Sequence, residues 1–471
     1  MNLSWHETSA TADRDPVLTT RGTWRLWLYG GGMAAICFGF AWRYPLRDHA
    51  NDLLDIGKLA NYRVLPFVGF VTGVIGLFAL YLLAIREARR ISPSRGKLIL
   101  FVCGAAQVAA MAWMYPVNAI DIYIYSARSR LLTEYGANPM TTPPVNFSQD
   151  PYMRFASSEW STHVSPYGPF WNLIAAPTTY LGGDKIVLAL AGFKILAGVS
   201  ALVCAWIIVQ TVTPTRPADA ASAGIFFLWN PLILWEGVGN GHNDLVMLVP
   251  LLAALLAWTR RRDELVIPLL VLAATIKYVP VILIPLAALA IWSRTEGWRP
   301  RLRVLAWSTI GTLIVLAIAF FPVYDIGAVR DSIDEQGQIF LTSPAAVVLV
   351  LIGGRFGEET TKLWLTRIGD GIVLVALLWQ AIRVARVPAR LPRATYEVLF
   401  VFLLIATWNF RGWYVIWLVG VAAMLPLGWP AARTVAWTAG AVLVYGLYIW
   451  IWYWWGTDFP TIQNVAVPFI I

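Results

Sequence analysis

Long apolar blocks recur along almost the whole chain, broken by short basic loops and one long polar stretch. The blocks fall at about 24–44, 64–85, 98–117, 168–183, 186–211, 219–236, 245–258, 304–322, 367–386, 395–408, 411–428 and 433–454. A helical span needs about 20 such residues, so the pattern predicts an all-α, polytopic membrane protein. Basic loops mark the cytoplasmic side. They are REARRISPSRGK at 86–97, TRRRDE at 259–264, SRTEGWRPRLR at 293–303 and RVARVPARLPR at 383–393. With 86–97 inside, the N-terminus is cytoplasmic, loop 45–63 is outside, and the polar stretch 118–169 is extracytoplasmic.

Parity then constrains the rest. Four apolar blocks lie between the outer stretch and the basic loop 259–264, and an odd number must cross. The block 168–183 is the shortest and holds Pro169 and Pro177, so it reads as a juxtamembrane or re-entrant helix. GVGNGHND at 237–244 is thereby placed outside, on the face of Asp121. Residues 264–293 carry two short apolar runs broken at Lys277-Tyr278-Val279-Pro280, with basic loops on both sides. That pattern demands a hairpin whose tip carries Lys277 within the membrane depth, in a protein-lined cavity. The apolar run 344–353 is too short to cross. The count comes to about 13 crossings, with the C-terminus outside. Residues 1–23 read as a disordered cytoplasmic terminus and 24–471 as one transmembrane domain, with 118–169 as its active-site loop.

Composition agrees with the pattern. Of 471 residues, 58% are hydrophobic and 13% charged; soluble domains carry about 25% charged residues. The formal charge of +9 sits in the loops between apolar blocks, where it orients the chain; it is no sign of nucleic-acid binding. Cys37, Cys103 and Cys204 each lie inside an apolar block, an odd count with no metal-like spacing, and read as packing residues. Most of the 25 tryptophans read as anchors where helix ends meet headgroups.

Candidate chemistry gathers on the outer face. Asp121 lies at the end of an apolar block; partly desolvated, such a carboxylate can serve as a general base, and fully solvated it is only a helix-end acid. Asp121, Tyr125 and Arg128 share one face of a short helix. Asn240, His242, Asn243 and Asp244 are dense polar groups between two apolar helices, more than a turn needs. His242 and Asp244 supply only two metal ligands and no cluster completes a site, so no metal is assigned and dependence on a divalent metal stays open. Lys277 has no acid near it in sequence. It either snorkels to the headgroups or contacts an anion such as a phosphate. His163, Glu159 and Tyr167 lie where the loop enters the next helix through Pro-Tyr-Gly-Pro. Arg411 is a second phosphate candidate. Beside it, Trp413 and Tyr414 read first as interface anchors, with Tyr414 also a candidate to touch sugar or acceptor. Asp325, Asp331, Asp334 and Glu335 read as a solvated outer face.

The order of DIYIYSARSRLL, YGANPM, SPYGPFWN, WNPLILWEGVGNGHND and ATIKYVPVILIP resembles the GT-C membrane glycosyltransferases over roughly 98–430. The nearest likeness is to bacterial polyprenyl-phosphate-mannose-dependent α-mannosyltransferases. That resemblance implies a sugar donor on a polyprenyl phosphate, a glycan or lipid-linked acceptor, and inverting transfer on the extracytoplasmic face of the plasma membrane. It implies Asp121 as the base, Lys277, Arg411 and Arg128 on the donor phosphate, and His242, Asn243, Asp244, His163, Tyr167 and Tyr414 on sugar or acceptor. It implies no nucleotide-sugar site and no nucleic-acid partner. Family members more often carry the acidic loop after the first span; here two spans precede it, which keeps Asp48, Asp52 and Asp55 of the earlier loop as competing acids. The competing readings are a transporter or flippase of a lipid-linked sugar and a non-catalytic sugar-lipid binder. Internal halves, expected of many transporters, are not evident. Sugar identity, acceptor and linkage stay open at this level.

Overall fold

The computed structural model describes residues 20–157, 160–321, 325, 327–330, 339–456, 462, 464 and 467–470. Its longer helices are α1 (Thr20–Arg43), α2 (Val64–Ala88), α3 (Pro93–Trp113), α4 (Asp121–Tyr135), α5 (Pro169–Gly182), α6 (Ile186–Val212), α7 (Ala220–Leu228) and α8 (Asp244–Thr259). The second half holds α9 (Asp263–Ala274), α10 (Ile284–Arg294), α11 (Trp298–Phe320), α12 (Pro344–Phe356), α13 (Glu358–Arg386), α14 (Leu391–Val401), α15 (Val415–Met424) and α16 (Trp429–Trp455). Among the described residues only isolated bridges, Pro45 with Met114 and Leu341 with Asn409, take the place of a sheet.

By length and composition six helices can cross a membrane: α2, α3, α6, α11, α13 and α16. A seventh span arises if Pro217–Leu228 and Ile233–Gly239, bent by 56°, are taken as one. The expectation of about 13 crossings is therefore not reached by this measure among the described residues. The physical reason is that several apolar runs do not form one long helix. α8, α9, α10 and α15 have 16, 12, 11 and 10 residues. At 1.5 Å per residue these are about 15–24 Å long, against a hydrocarbon core of about 30 Å. The run near 344–353 is the 13-residue α12, and 168–183 is the 14-residue α5. The helix expected at 367–386 begins earlier, at Glu358, where Glu358 and Glu359 suit the positive end of a helix.

The first half packs as a helical layer in which α1 lies against both α2 and α3, and α7 against α2, α3 and α6. A single buried apolar cluster runs from Leu26 to Val467. Cys37, Cys103 and Cys204 are free thiols buried in it. The expected hairpin is present: α9 ends at Ala274, residues 275–278 turn, and Val279–Leu283 lead into α10.

Basic loops collect at one end. Arg89 meets Asp219 at 2.9 Å, Lys97 donates to Thr213, Arg260 donates to the Gln210 carbonyl, and Arg294 donates to the Trp258 carbonyl at 3.0 Å. α8 runs into that end and α9 leads away from it, so both connect it to the opposite end, where Asp244 and Lys277 lie. The terminal expectation over 1–23 falls largely outside the described residues; residues 20–23 belong to α1.

Candidate active site

Asp121 is the first residue of α4, a helix separate from α3, not the end of the membrane helix before it. α3 stops at Trp113, Pro116 prevents its continuation, and the chain turns before entering α4. Gly136, in the left-handed region at φ 60°, ends α4, and Ala137 donates to the Leu131 carbonyl. Residues Ile122 to Leu131 are all buried, so the polar stretch is built into the protein rather than lying on it. Arg130 locks it there. Its guanidinium meets Asp150 at 2.6 Å and Asp184 at 3.0 Å and donates to the Gly183 carbonyl at 2.8 Å.

A cavity of about 390 Å³ opens over the start of α4. Asp121, Ile124 and Arg128 come from α4, Trp160, Pro166 and Tyr167 from the loop, and Arg411, Trp413, Tyr414, Tyr445 and Tyr448 from the C-terminal part. Asn118, Ile120, Leu341 and Asn409 complete its lining. Larger clefts exist elsewhere, but none is lined by this set of polar groups. The Tyr167 hydroxyl lies within hydrogen-bond reach of Asp121 at 3.5 Å, where it is the donor, and of the Tyr125 hydroxyl at 3.4 Å. Burial pushes the Asp121 carboxyl above its ordinary value; Arg411, then Lys277, pull it back, Asp244 pushes it up again, and Arg128 lowers it. Among the described residues no carboxylate forms an ion pair with Arg411, so its guanidinium faces the cavity as an available cation. Arg128 donates to the carbonyls of Trp160 and His163.

Behind the cavity lining lie the π-helical turn Ile233–Gly239 and the start of α8, joined to it where the Asn118 N–H meets the Asn240 side chain and His242 stacks on Trp413. Asn230 and Pro231 bend the chain there, and Asn230 caps the turn by accepting from the Leu232 N–H. Gly241 takes φ 72° where an added Cβ would meet Ile122 of α4 at 2.6 Å. Lys194 of α6, fully buried, donates to the Gly239 carbonyl. Asp244 is fully buried and accepts from Lys277 at 2.8 Å and from the Trp417 indole at 2.6 Å. The Lys277 ammonium also lies 4.5 Å from the Tyr414 ring centre and 5.9 Å from that of Tyr167, two cavity residues. Lys277 thus has a protein anion, which its sequence neighbourhood did not show. His242 stacks on Trp413 with ring centres 3.9 Å apart, and its Nε2 is 3.3 Å from Glu236. Burial, then the charges of Lys277, Arg411 and Lys194, hold the imidazole well below its ordinary value, so it is neutral.

Several fully buried polar atoms of this layer have no aligned hydrogen-bond partner among the described residues: Glu236 Oε1, both His242 nitrogens, both Asn243 amide atoms and Asp244 Oδ2. Buried groups of this kind are ordinarily paired, and each left unpaired costs about 1–3 kcal/mol. Hydroxyl-rich ligands supply donors and acceptors of the right kind. Among the described residues no group of three or more His, Cys, Asp or Glu is placed to hold a metal ion.

The structure therefore brings Asp121, Arg128, Tyr167, Arg411 and Tyr414 around one cavity and puts Lys277 against its wall. Tyr414 and Trp413 both line the cavity. His163 offers Arg128 its carbonyl and does not line the cavity. Asn243 and Asp244 sit beneath it. Asp48 pairs with exposed Arg47, Asp55 caps Ile56–Leu59, and Asp52 offers only its carbonyl to Tyr115; none lines the cavity. Asp325 accepts from the Ala328 N–H. Glu159, Asp331, Asp334 and Glu335 lie outside the described residues. Glu236 and Lys194 were not singled out by sequence, although a lone charge inside an apolar run is a functional signal by itself. Asn409, Tyr445 and Tyr448 carried no such signal.

A family model described as "Alpha-(1->6)-mannopyranosyltransferase, N-terminal domain" matches residues 31–293. Alpha-(1->6)-mannopyranosyltransferase A of Mycobacterium tuberculosis is 28% identical over 377 residues, 74% of this chain and 70% of that protein. The enzyme of the same name from Corynebacterium glutamicum is 26% identical over 182 residues, 38% of this chain and 36% of that protein. Alpha-(1->6)-mannopyranosyltransferase B of the same bacterium is 28% identical over 162 residues, 34% of this chain and 27% of that protein. These findings agree with the sequence resemblance to GT-C mannosyltransferases.

Proposed function

The chain belongs to the alpha-(1->6)-mannopyranosyltransferase family, and on that premise we propose that it transfers mannose from a polyprenyl-phosphate donor to a hydroxyl of a glycan or lipid-linked acceptor. The observation that carries this reading is the half-buried Asp121 carboxylate in a cavity whose cationic neighbours are Arg411, Lys277 and Arg128. One base beside several cations suits a reaction that takes a proton from an alcohol and releases a phosphate.

In that reaction the acceptor O–H gives its proton to Asp121 while its oxygen attacks the anomeric carbon. The new C–O bond forms as the bond to the donor phosphate breaks on the opposite face, which inverts the configuration. The electron pair leaves on polyprenyl phosphate. A phosphate monoester has a second pKa of roughly 6, so it departs without a strong acid. Arg411 and Lys277, with Arg128, stabilise the charge that develops there. Lys277 keeps two of its three N–H donors beyond the one given to Asp244. On this reading substrate binding opens the layer behind the lining, where the unpaired polar atoms of His242, Asn243 and Asp244, with Glu236, then meet sugar or acceptor hydroxyls.

The proposed topology puts the basic end in the cytoplasm and the cavity outside. The 16-residue α8 separates the two ends by about 24 Å. The hairpin arms α9 and α10, about 16–18 Å each, then hold Lys277 within the membrane depth, near where a lipid-linked phosphate sits. The transporter or flippase reading is not favoured, because the family that matches is one of transferases.

The test is transfer from labelled polyprenyl-phosphate-mannose by the purified full chain and by Asp121→Asn, across a panel of glycan and lipid acceptors. Wild-type transfer with a loss of about 10²–10⁴ in the variant, at unchanged unfolding temperature, is the expected result. Equal transfer by both proteins removes Asp121 from the role of base. Absence of transfer and of donor binding in the wild type overturns the donor.

A further inference from the structure

The largest of the clefts described lies a helix length away from the active-site cavity, at the basic end. It is a groove of about 760 Å³ between the α8–α9 turn and α11. Its polar end is made by Arg260, Arg261, Arg262 and Arg303, with Glu264 as the sole acid in its lining. Its other end is made by Pro268 of α9 and by Trp307, Ile310 and Ile314 of α11. These three are 56%, 46% and 54% exposed, on a span-length helix of which only 11% of the apolar window is buried in the protein. The apolar flank of the groove is therefore exposed along a helix long and apolar enough to span a membrane, and its polar end lies at that helix's start.

Two features mark the polar end as more than a topology signal. Arg262 has Glu264 at 3.8 Å and Arg260 donates to the Gln210 carbonyl, but the side chains of Arg261 and Arg303 have no ion-pair or hydrogen-bond partner among the described residues. Arg261 also holds φ 60° at the end of α8, a left-handed position that glycine or asparagine usually fills. The deep wall is close-packed: a Cβ at Gly311 of α11 would come within 2.8 Å of Pro268. The two helices thus meet behind the groove and leave its cationic mouth continuous with its apolar flank.

We propose that this groove binds one anionic glycerophospholipid, with its phosphate between Arg261, Arg262 and Arg303 and an acyl chain along Trp307, Ile310 and Ile314. Charge complementarity selects the headgroup, and the membrane-facing apolar wall selects a lipid over a soluble phosphate. Arg261 sits at the root of the α8–α9 hairpin whose far ends carry Asp244 and Lys277, so the bound lipid braces the elements behind the cavity lining. The inference rests on the fold and not on the proposed reaction.

Native mass spectrometry of the full chain in detergent tests it. The protein is titrated with phosphatidylglycerol, with phosphatidylcholine of the same acyl chains, and with glycerol phosphate. One phosphatidylglycerol is expected to bind about tenfold or more tightly than phosphatidylcholine, with no competition from glycerol phosphate. Arg261→Gln/Arg303→Gln is expected to lose that preference, while Arg86→Gln/Arg386→Gln, exposed arginines of other basic loops, keeps it. Equal affinity for the two lipids in the wild-type protein overturns the proposal, and needs no variant to fold. So does retention of the preference in the groove variant, or its loss in the control variant, which would make it a property of diffuse charge. Stoichiometric competition by glycerol phosphate would make the groove a phosphate site and overturn the lipid.

Discussion

Lys277 donates to Asp244 at 2.8 Å, joining the tip of one hairpin to the first turn of α8 across 33 residues of sequence. The Asp244 side chain is fully buried and that of Lys277 is 13% exposed. Removing one member of such a pair leaves a buried charge uncompensated, at a cost of about 3–5 kcal/mol. Asp244→Ala and Lys277→Met are each expected to lose about that much stability. Asp244→Leu/Lys277→Met should recover most of it, because two apolar groups replace the pair, yet still lack transfer. Thermal unfolding beside the transfer assay checks this. A double variant as unstable as the worse single variant would show that the pair is not the stabilising unit.

The pH dependence of transfer reports on Asp121. Burial holds its carboxyl above the ordinary value of about 3.9. As the base it must be ionised, so kcat/KM falls as pH drops through the raised value. Arg411 is the strongest charge lowering that value, and Asp244 is a charge raising it. Arg411→Gln is therefore expected to move the acid limb to higher pH, and Asp244→Asn to lower pH, whatever each does to the rate at the plateau. Profiles that move together, or stay still, would contradict this electrostatic assignment.

The sequence made part of this site legible and hid the rest for physical reasons. Helical spacing put Asp121, Tyr125 and Arg128 on one face, and the structure brings Tyr167 against both Asp121 and Tyr125. Loop charges were enough to require a hairpin with Lys277 at its tip. Hydropathy, however, measures runs and not continuous helices. It merged Glu236 and Lys194 into apolar blocks, though each is a fully buried ionisable group behind the cavity lining. It also counted as crossings several segments whose helices are shorter than a full span. Periodicity names the face a residue occupies but not a distant partner, so Asn409, Tyr445 and Tyr448 emerged only when the C-terminal helices closed over α4. The family model matches residues 31–293, so Arg411 and Tyr414 lie outside it and rest on the sequence resemblance and on the cavity's geometry.

His242 separates packing from recognition. Its ring lies nearly parallel to that of Trp413, at 17°, and neither ring nitrogen has an aligned partner among the described residues. His242→Phe keeps the stack, so unfolding should change by no more than about 1 kcal/mol. Loss of a hydrogen bond to substrate should raise KM for one of the two substrates about tenfold. Because the imidazole is held neutral, the variant should not remove a titration near neutral pH. An unaltered KM for both substrates would leave His242 a packing residue.

Gly168 is where the loop is clamped to the Lys277 hairpin. Its N–H donates to the Ile276 carbonyl at 3.1 Å, and the Phe170 N–H donates to the Thr275 carbonyl at 2.9 Å. Its φ of −64° is open to any residue, so space and not backbone freedom requires glycine. A Cβ there would lie 2.1 Å from the Thr275 carbonyl oxygen, a backbone atom that cannot rotate aside. Gly168→Ala must push the loop off the hairpin and weaken both hydrogen bonds, at a cost of about 2–4 kcal/mol. Transfer should fall further than stability accounts for, because Tyr167 and Lys277 move apart. Gly136→Ala is the comparison. There φ is 60° but nothing lies within 4 Å of an added Cβ, so the change should cost about 1 kcal/mol of strain and spare transfer. If Gly168→Ala instead transfers mannose at the wild-type rate, the clamp does not set the distance between Tyr167 and Lys277, and the loop must be held by Arg130 and its acids alone.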